Sequence, residues 1–521
     1  MNKPAPSPAL VIALISIPIF IGALDLTVVS AVLPQVTVDL QIPQTEINST
    51  AWIVSGYLLA YTVAMTFMGR LSDLIGRRKV FLVALVIFAA GSYLVAVADS
   101  WPTNLALRAY YQLFEGRPDP MRVRLYLLIA ARMVQAFGGG AMVPVGMALA
   151  GDLYPPGQRA RALGLIAAVD TSGWVVGHLY GGIIAYSWDW RTIFWLNLPI
   201  CAVGFLLIAW VLRRLPSTAP GGRMDWLGAA LISLCLVLFN FGLSSSDAGG
   251  TFSGGGAAGM PAHALPLILA ALVCLILFIW RQARAAHPLI PLSLFRRRNI
   301  PTAGLVNFLI GFCLFIAIAN VPLFINTLVA QTVKQGAWES GWMLSALTVP
   351  MALAAIPGGW LTARFGYRWP ALAGLAIAIG GFLLMTGWRA DVPGGTAALY
   401  PAMIPHLILT GIGFGLTIAP LAAAGIDTAP SDYRGTASAL VIIFRLVGMT
   451  LSASAIAVYD QQRFNQLSAE YLAASGDIVR AGMEAVTRVI GETFLLAAAV
   501  CAIALFLSFL LKSSLTERNT P

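Results

Sequence analysis

Charge is what this 521-residue sequence has least of. Only 10% of its residues are Asp, Glu, Lys or Arg, against 59% hydrophobic, and the mean hydropathy is +0.82. That balance excludes a soluble globular domain and implies an all-α polytopic membrane protein. Cysteine is scarce as well. Cys201, Cys235, Cys274, Cys313 and Cys501 all lie inside apolar runs without C-x-x-C spacing, so neither a disulfide framework nor a thiolate metal site is expected. No phosphate-binding glycine loop, metal-ligand cluster or Ser/His/Asp arrangement is visible. An enzyme, an ATP-driven pump and a bound cofactor are therefore not expected. The surplus of cations sits in short loops between apolar runs, which argues for membrane topology rather than nucleic-acid binding.

What the sequence does have is apolar runs of about 20 residues, the length that spans a bilayer core as a helix. Fourteen are expected, near residues 10–33, 49–69, 80–98, 125–150, 162–186, 192–212, 226–244, 264–281, 302–328, 339–362, 369–389, 401–426, 435–459 and 491–511. The first is too long for a signal-peptide core and is taken as an uncleaved span. With both termini inside, the cytoplasmic segments hold twenty Lys and Arg and the outer ones ten. The positive-inside rule then favours cytoplasmic termini in a cell membrane. Two outer segments, 99–124 and 460–490, are long; the first suggests a short interfacial helix and the second an extension of the last two spans. The Gly/Ser/Ala-rich stretch 244–259 reads as a loop.

The connector Gly69-Arg70-Leu71-Ser72-Asp73-Leu74-Ile75-Gly76-Arg77-Arg78-Lys79 joins the second and third spans. Gly69 and Gly76 permit tight turns, and Asp73 is the single acid among four cations. It resembles the signature loop between helices 2 and 3 of the major facilitator superfamily of secondary transporters, with Leu74 standing where that pattern usually has a cation. Gly69, Asp73, Gly76, Arg77 and Arg78 are then expected to form a conformational latch, with Asp73 meeting the cytoplasmic start of the thirteenth span, where a helix N-terminus attracts an anion. The plainer alternative is that Asp73 only balances local charge. Gly359–Arg368 repeats the loop's spacing 290 residues later, and Val321-Pro322 echoes Leu33-Pro34 at an offset of 288. These offsets predict two six-helix halves, 1–212 and 299–521, with a linker at 213–298 that adds a two-helix hairpin.

Ionisable groups in a bilayer core are costly and so demand a reason. Asp25 lies roughly 22 Å into the first span from the inside, and Arg132 in the fourth span reaches a similar depth, roughly 19 Å. Leu24-Asp25-x-Thr27-Val28-Val29 with Leu33-Pro34, and Arg132-x-x-Gln135-x-x-Gly138, resemble signatures of the fourteen-helix drug:proton antiporters. That resemblance implies proton coupling at Asp25 and Arg132; the alternative is a structural ion pair between two helices. Gly173, Gly177, Gly181 and Gly182 resemble the antiporters' glycine-rich helix 5, with His178 replacing a usual proline. Small residues four apart allow close helix contact. Asp170 in the fifth span and Arg445 in the thirteenth align through the repeat to within about one turn, at depths of roughly 12 and 16 Å. They are candidate coupling partners, although a capping or water-facing role for Asp170 remains open.

Trp52, Tyr57, Tyr61, Gln135, Phe137, Met142, Trp174, Phe308, Phe312 and Phe315 fall on spans expected to line a central cavity. Such a cavity suits amphipathic substrates. The expected function is proton-coupled export of hydrophobic or amphipathic compounds by alternating access, of the multidrug-efflux type. Export of lipids or lipid-linked molecules is the alternative, and a receptor of transporter fold that moves nothing is a third. Expected partners are the bilayer, protons and an amphipathic or lipid substrate, with no nucleic acid, and a monomer is expected.

Overall fold

A backbone crossing a bilayer must satisfy its own hydrogen bonds, and long apolar runs do so as helices. A computed structural model describes residues 6–42, 50, 52–113, 119–213, 223–243, 264–329, 333–389, 396–430 and 433–512. In chain order its helices are α1 (Pro8–Asp39), α2 (Trp52–Ile75), α3 (Arg77–Ala96), α4 (Trp101–Leu113), α5 (Pro120–Leu153), α6 (Pro156–Ser187), α7 (Arg191–Leu212) and α8 (Trp226–Leu243). Then follow α9 (Ala264–Arg284), α10 (Asn299–Phe324), α11 (Val333–Phe365), α12 (Arg368–Met385), α13 (Thr396–Asp427), α14 (Arg434–Ser475) and α15 (Ile478–Ser508). Among the described residues thirteen helices are long and apolar enough to cross a membrane. The expected span at 226–244 is shorter, an apolar helix over Trp226–Gly242.

α1 lies along α6 and α5, while α5 also packs on α2 and α3, and α7 on α3. The later helices form their own contacts, α10 with α14 and α15, and α13 with α11 and α12. One apolar cluster draws on α1–α3 and α5–α7 with Ala422, Ile426, Ile442, Leu446 and Met449 added from α13 and α14; another draws only on residues 303–511. The two sets meet where α6 touches α11 and α13, and where α14 touches α2 and α5. α8 and α9 pair with each other. Asp225 clamps their ends by accepting from Gly228 N–H at 3.0 Å, Gln282 Nε2 at 2.9 Å and Arg281 Nε at 3.3 Å. Phe241 of α8 rests on Trp52 of α2, with ring centroids 4.3 Å apart.

Both long segments expected on the outer side contain helix. α4 occupies the first, with Trp101, Leu105 and Tyr111 exposed. In the second, α14 runs unbroken to Ser475, Gly476 turns the chain at φ +69°, and Asp477 caps α15 by accepting from Val479 and Arg480 N–H. Gly491 of α15 lies level with Thr386, just past the end of α12. The α15 residues before it therefore reach about 20 Å beyond α12. The glycine-rich stretch 244–259 lies outside the described residues. Gly76 and Gly366, 290 positions apart, both take positive φ (102° and 78°) at the start of a following helix. A Cβ would strain either turn, and their separation equals the repeat offset in the sequence.

Candidate functional site

α5 brings Arg132 against Asp25 of α1. Arg132 Nη2 donates to the Asp25 backbone carbonyl at 2.8 Å, while Nη1 donates to Gln135 Oε1 at 2.6 Å and stands 3.8 Å from Asp25 Oδ1. Gln135 Nε2 donates to Asp25 Oδ2 and to Ser92 Oγ at 2.7 Å. Asn197 Nδ2, from α7, donates to the same Oδ2 at 3.0 Å. A Cβ on Gly91 would overlap the Gln135 backbone; that backbone-to-backbone approach of α3 and α5 is what puts Ser92 within reach. Tyr57 of α2 covers the guanidinium with its ring centroid 4.1 Å away and donates its hydroxyl to the Gly22 carbonyl at 3.0 Å. Asp25 is fully buried and Arg132 is 1% exposed. A buried ion pair survives in a low-dielectric interior when further hydrogen bonds offset the lost hydration, and here Gln135, Asn197 and the Asp25 carbonyl supply them. Only Asp25 Oδ1 and Arg132 Nε lack a hydrogen bond among the described residues.

Asp170 and Arg445 form the second pair, with Arg445 Nη2 3.5 Å from Asp170 Oδ2. It joins α6 to α14, and so bridges the earlier and later helices at the alignment the repeat predicted. The pair is nearly as buried, at 4% and 8% exposed, but it stands almost alone. Asp170 Oδ1, Arg445 Nε and the nearby Trp174 Nε1 have no hydrogen-bond partner among the described residues. The Arg445 guanidinium carbon lies 5.3 Å from the Trp174 ring centroid. On the opposite side of α6, Thr27 Oγ1 of α1 donates to the Trp174 carbonyl at 2.8 Å.

The glycine motif explains that proximity. A Cβ on Gly173 would overlap the Phe20 carbonyl, and one on Gly177 would overlap Thr27 Oγ1 and the Leu24 carbonyl. Those two glycines seat α6 on α1 beside Asp25. Gly181 is buried, but Gly182 has nothing within 4 Å of a Cβ position and takes no part in the contact. The side chain of His178 lies outside the described residues.

In the 69–79 loop, Arg77 holds two acids. Nη1 meets Asp73 Oδ1 at 2.7 Å, an i,i+4 pair, and Nε meets Asp152 Oδ2 at the end of α5 at 2.5 Å. The second loop repeats the tie in uncharged form, with Tyr367 hydroxyl donating to Asp427 Oδ2 at the end of α13 at 2.9 Å. Among the described residues, the 69–79 loop meets the start of α14 through Arg70, whose guanidinium carbon lies 4.3 Å from the Tyr433 ring centroid. Asp73 was expected in that place. Its bonded partner is Arg77, and its Oδ2 is buried without a hydrogen bond among the described residues. Gly69 is buried, and Arg78 is half-buried.

The expected cavity set separates into groups. Tyr57, Tyr61 and Gln135 are sealed in the interior, fully buried or nearly so, with Tyr57 and Tyr61 stacked at 6.0 Å between centroids. Gln135 bonds Asp25 rather than lining a void. Trp174 sits at the α6–α14 bridge, and Trp52 packs on α8. Phe137 packs against Phe67, and Met142 is buried. Phe308, Phe312 and Phe315 are half-buried. Sequence reasoning missed Ser92 and Asn197, which complete the Asp25 cluster. Each is a lone polar residue in an apolar span, the same costly placement that singled out Asp25.

The family model of the Major Facilitator Superfamily matches residues 15–453 and again 308–521. A triacylglyceride transporter of Mycobacterium tuberculosis (strain H37Rv) is 30% identical over 523 residues, covering 97% of this chain and 95% of that protein. A triacylglyceride transporter of Mycolicibacterium hassiacum is 31% identical over 505 residues, covering 93% and 88%. Two solved structures share the fold: the proton:xylose symporter XylE (TM-score 0.58, 16% identity, 94% of each chain) and the human organic anion transporter MFSD10 (TM-score 0.58, 15% identity, 95% of this chain and all of that one). The chain is a multi-pass membrane transporter and belongs to the Major Facilitator Superfamily.

Proposed function

We propose that this transporter exports neutral or amphipathic lipids, driven by protons and working by alternating access. The observation that carries the mechanism is the Asp170–Arg445 pair, a lightly supported charge contact between helices on opposite sides of the α6–α14 boundary. A contact with so few auxiliary bonds is one that a moving interface can make and break. Asp25 supplies the coupling step. Its free Oδ1 faces Arg132 Nη1 at 3.8 Å, so a proton held there cancels the attraction and releases Arg132 to its remaining partners. α1 and α6 then shift relative to each other, and the bridge to α14 weakens. The contact of Arg70 with Tyr433 holds the basic-loop end closed in this state.

Lipid cargo is favoured over drug-like cargo because relatives matching nearly the whole chain are named triacylglyceride transporters. The α14–α15 extension also offers a helical path away from the outer surface. The motif resemblance to drug:proton antiporters supports a second reading, efflux of amphipathic cations. Proteoliposomes carrying a fluorescent triacylglycerol, with an imposed pH gradient and an external lipid acceptor, separate the two. The expected result is gradient-dependent transfer that Asp25→Asn reduces at least tenfold. Wild-type transfer by Asp25→Asn removes the coupling role from Asp25. Gradient-driven movement of cationic dyes without lipid transfer favours the second reading.

A further inference from the structure

An outer recess stands apart from both ion pairs and from the contact between earlier and later helices. α12 stops at Met385 while the α14–α15 hairpin continues past it, and the step leaves a cavity of about 920 Å³. Its floor is the crossing of α15 with the end of α12, where a Cβ on Gly491 would come 3.2 Å from the Thr386 carbonyl oxygen. Trp388 makes one wall. Its ring meets Phe324 and Phe494 edge-on at 5.5 and 5.3 Å, and its Nε1 donates to His406 Nδ1 at 3.1 Å, so the wall is fixed.

Arg389, Arg480 and Arg488 line the recess together with Asp477, Glu484 and Glu492. Each acid is already engaged. Asp477 caps α15, Glu484 takes Arg480 Nε at 2.8 Å, and Glu492 accepts from Arg463, Arg488 and the Tyr459 hydroxyl. Arg389 is the lining cation left without an ion pair or hydrogen bond among the described residues. On the membrane side of the crossing, Leu383 and Leu384 of α12 and Leu495 and Leu496 of α15 are all exposed. A free guanidinium thus stands just past the end of α12, next to exposed leucines of α12 and α15. The arrangement matches an anion joined to hydrocarbon, and a guanidinium is the side chain best shaped for phosphate oxygens.

We propose that this recess binds a phospholipid of the outer leaflet, with its phosphodiester on Arg389 and its acyl chains along Leu384 and Leu495. A triacylglycerol has no phosphate and gains nothing from Arg389, so the site does not select a triacylglycerol. The test is native mass spectrometry of the delipidated full-length protein, titrated with phosphatidylglycerol, phosphatidylethanolamine and diacylglycerol. Both phospholipids are expected to bind about tenfold more tightly than diacylglycerol, the scale of one charge-assisted contact. Arg389→Glu is expected to remove that advantage without changing thermal stability in detergent, because the side chain is exposed and bonds nothing in the fold. Thr487→Trp fills the recess while keeping every charge, and is expected to do the same. Equal binding of the two phospholipids assigns recognition to the phosphodiester, and preference for phosphatidylglycerol assigns it to net charge; either supports the site. Diacylglycerol binding as tightly as the phospholipids overturns it, as does unchanged phospholipid affinity in Arg389→Glu.

Discussion

The two buried carboxylate–guanidinium pairs carry the same charges at similar burial, yet they are built on opposite plans. Asp25 and Arg132 lie among the earlier helices, where Gln135, Asn197 and the Asp25 carbonyl bond them and the Tyr57 ring covers the guanidinium. Asp170 and Arg445 connect α6 to α14 across 3.5 Å with three nearby polar atoms left unbonded. The first arrangement holds its charges in a net of bonds, the one that the proposed coupling would have a proton loosen. The second is poised to come apart. Auxiliary hydrogen bonds, more than the ions themselves, decide which buried pair is permanent.

The sharpest way to break this comparison is to strip one cation from each pair. Arg132→Leu leaves Asp25 charged, sealed and uncompensated, and is expected to cost about 3–5 kcal/mol, read as a fall in melting temperature in detergent. Adding Asp25→Asn should recover much of that loss; no recovery would mean that Arg132 acts through packing alone. Arg445→Leu should cost less, because the bridge has fewer bonds to lose. A double-mutant cycle on Asp170→Asn and Arg445→Gln should give a coupling of about 1–3 kcal/mol, and the swap Asp170→Arg with Arg445→Asp should restore part of the transport lost in the singles. Coupling within error of zero would show that the pair is a bystander.

A smaller effect sharpens the contrast between supported and unsupported charges. Asn197→Ala removes one donor to Asp25 Oδ2 and is expected to destabilise by about 1–3 kcal/mol. The smallest effects belong to the loop ties. Arg77→Gln should cost about 1 kcal/mol, since glutamine can still donate to the buried Asp73 and the Asp152 pair is partly solvated, and Tyr367→Phe about 0.5–1.5 kcal/mol for one hydrogen bond. Melting curves in which either loop variant exceeds Arg132→Leu would reverse the ranking on which the comparison rests.

Much of the site was legible in residue spacing. Depth counting put Asp25 and Arg132 at one level, and the repeat offset put Asp170 within about one turn of Arg445, because helical rise converts position into depth directly. The spacing of Gly173 and Gly177 announced a close contact that Phe20, Leu24 and Thr27 of α1 supply. Facing was less legible. α1, α5 and α6 are apolar nearly all round, so hydropathy does not say which side meets a cavity and which a neighbour. Tyr57 and Gln135 were accordingly expected at a cavity and are instead sealed around Asp25. Ser92 and Asn197 went unnoticed because a single small polar residue makes no periodic pattern. The partner of Asp73 was there to be read, since Arg77 stands four residues on within the same basic loop.

Trp174 has its carbonyl tied to Thr27, two positions from Asp25, and its indole set against Arg445. In the proposed mechanism it serves as a rocker arm. A displacement of α1 that drags the peptide must tilt the ring, and the ring is what shields the far guanidinium. Under that proposal a change of protonation at one centre reaches the other through a single residue.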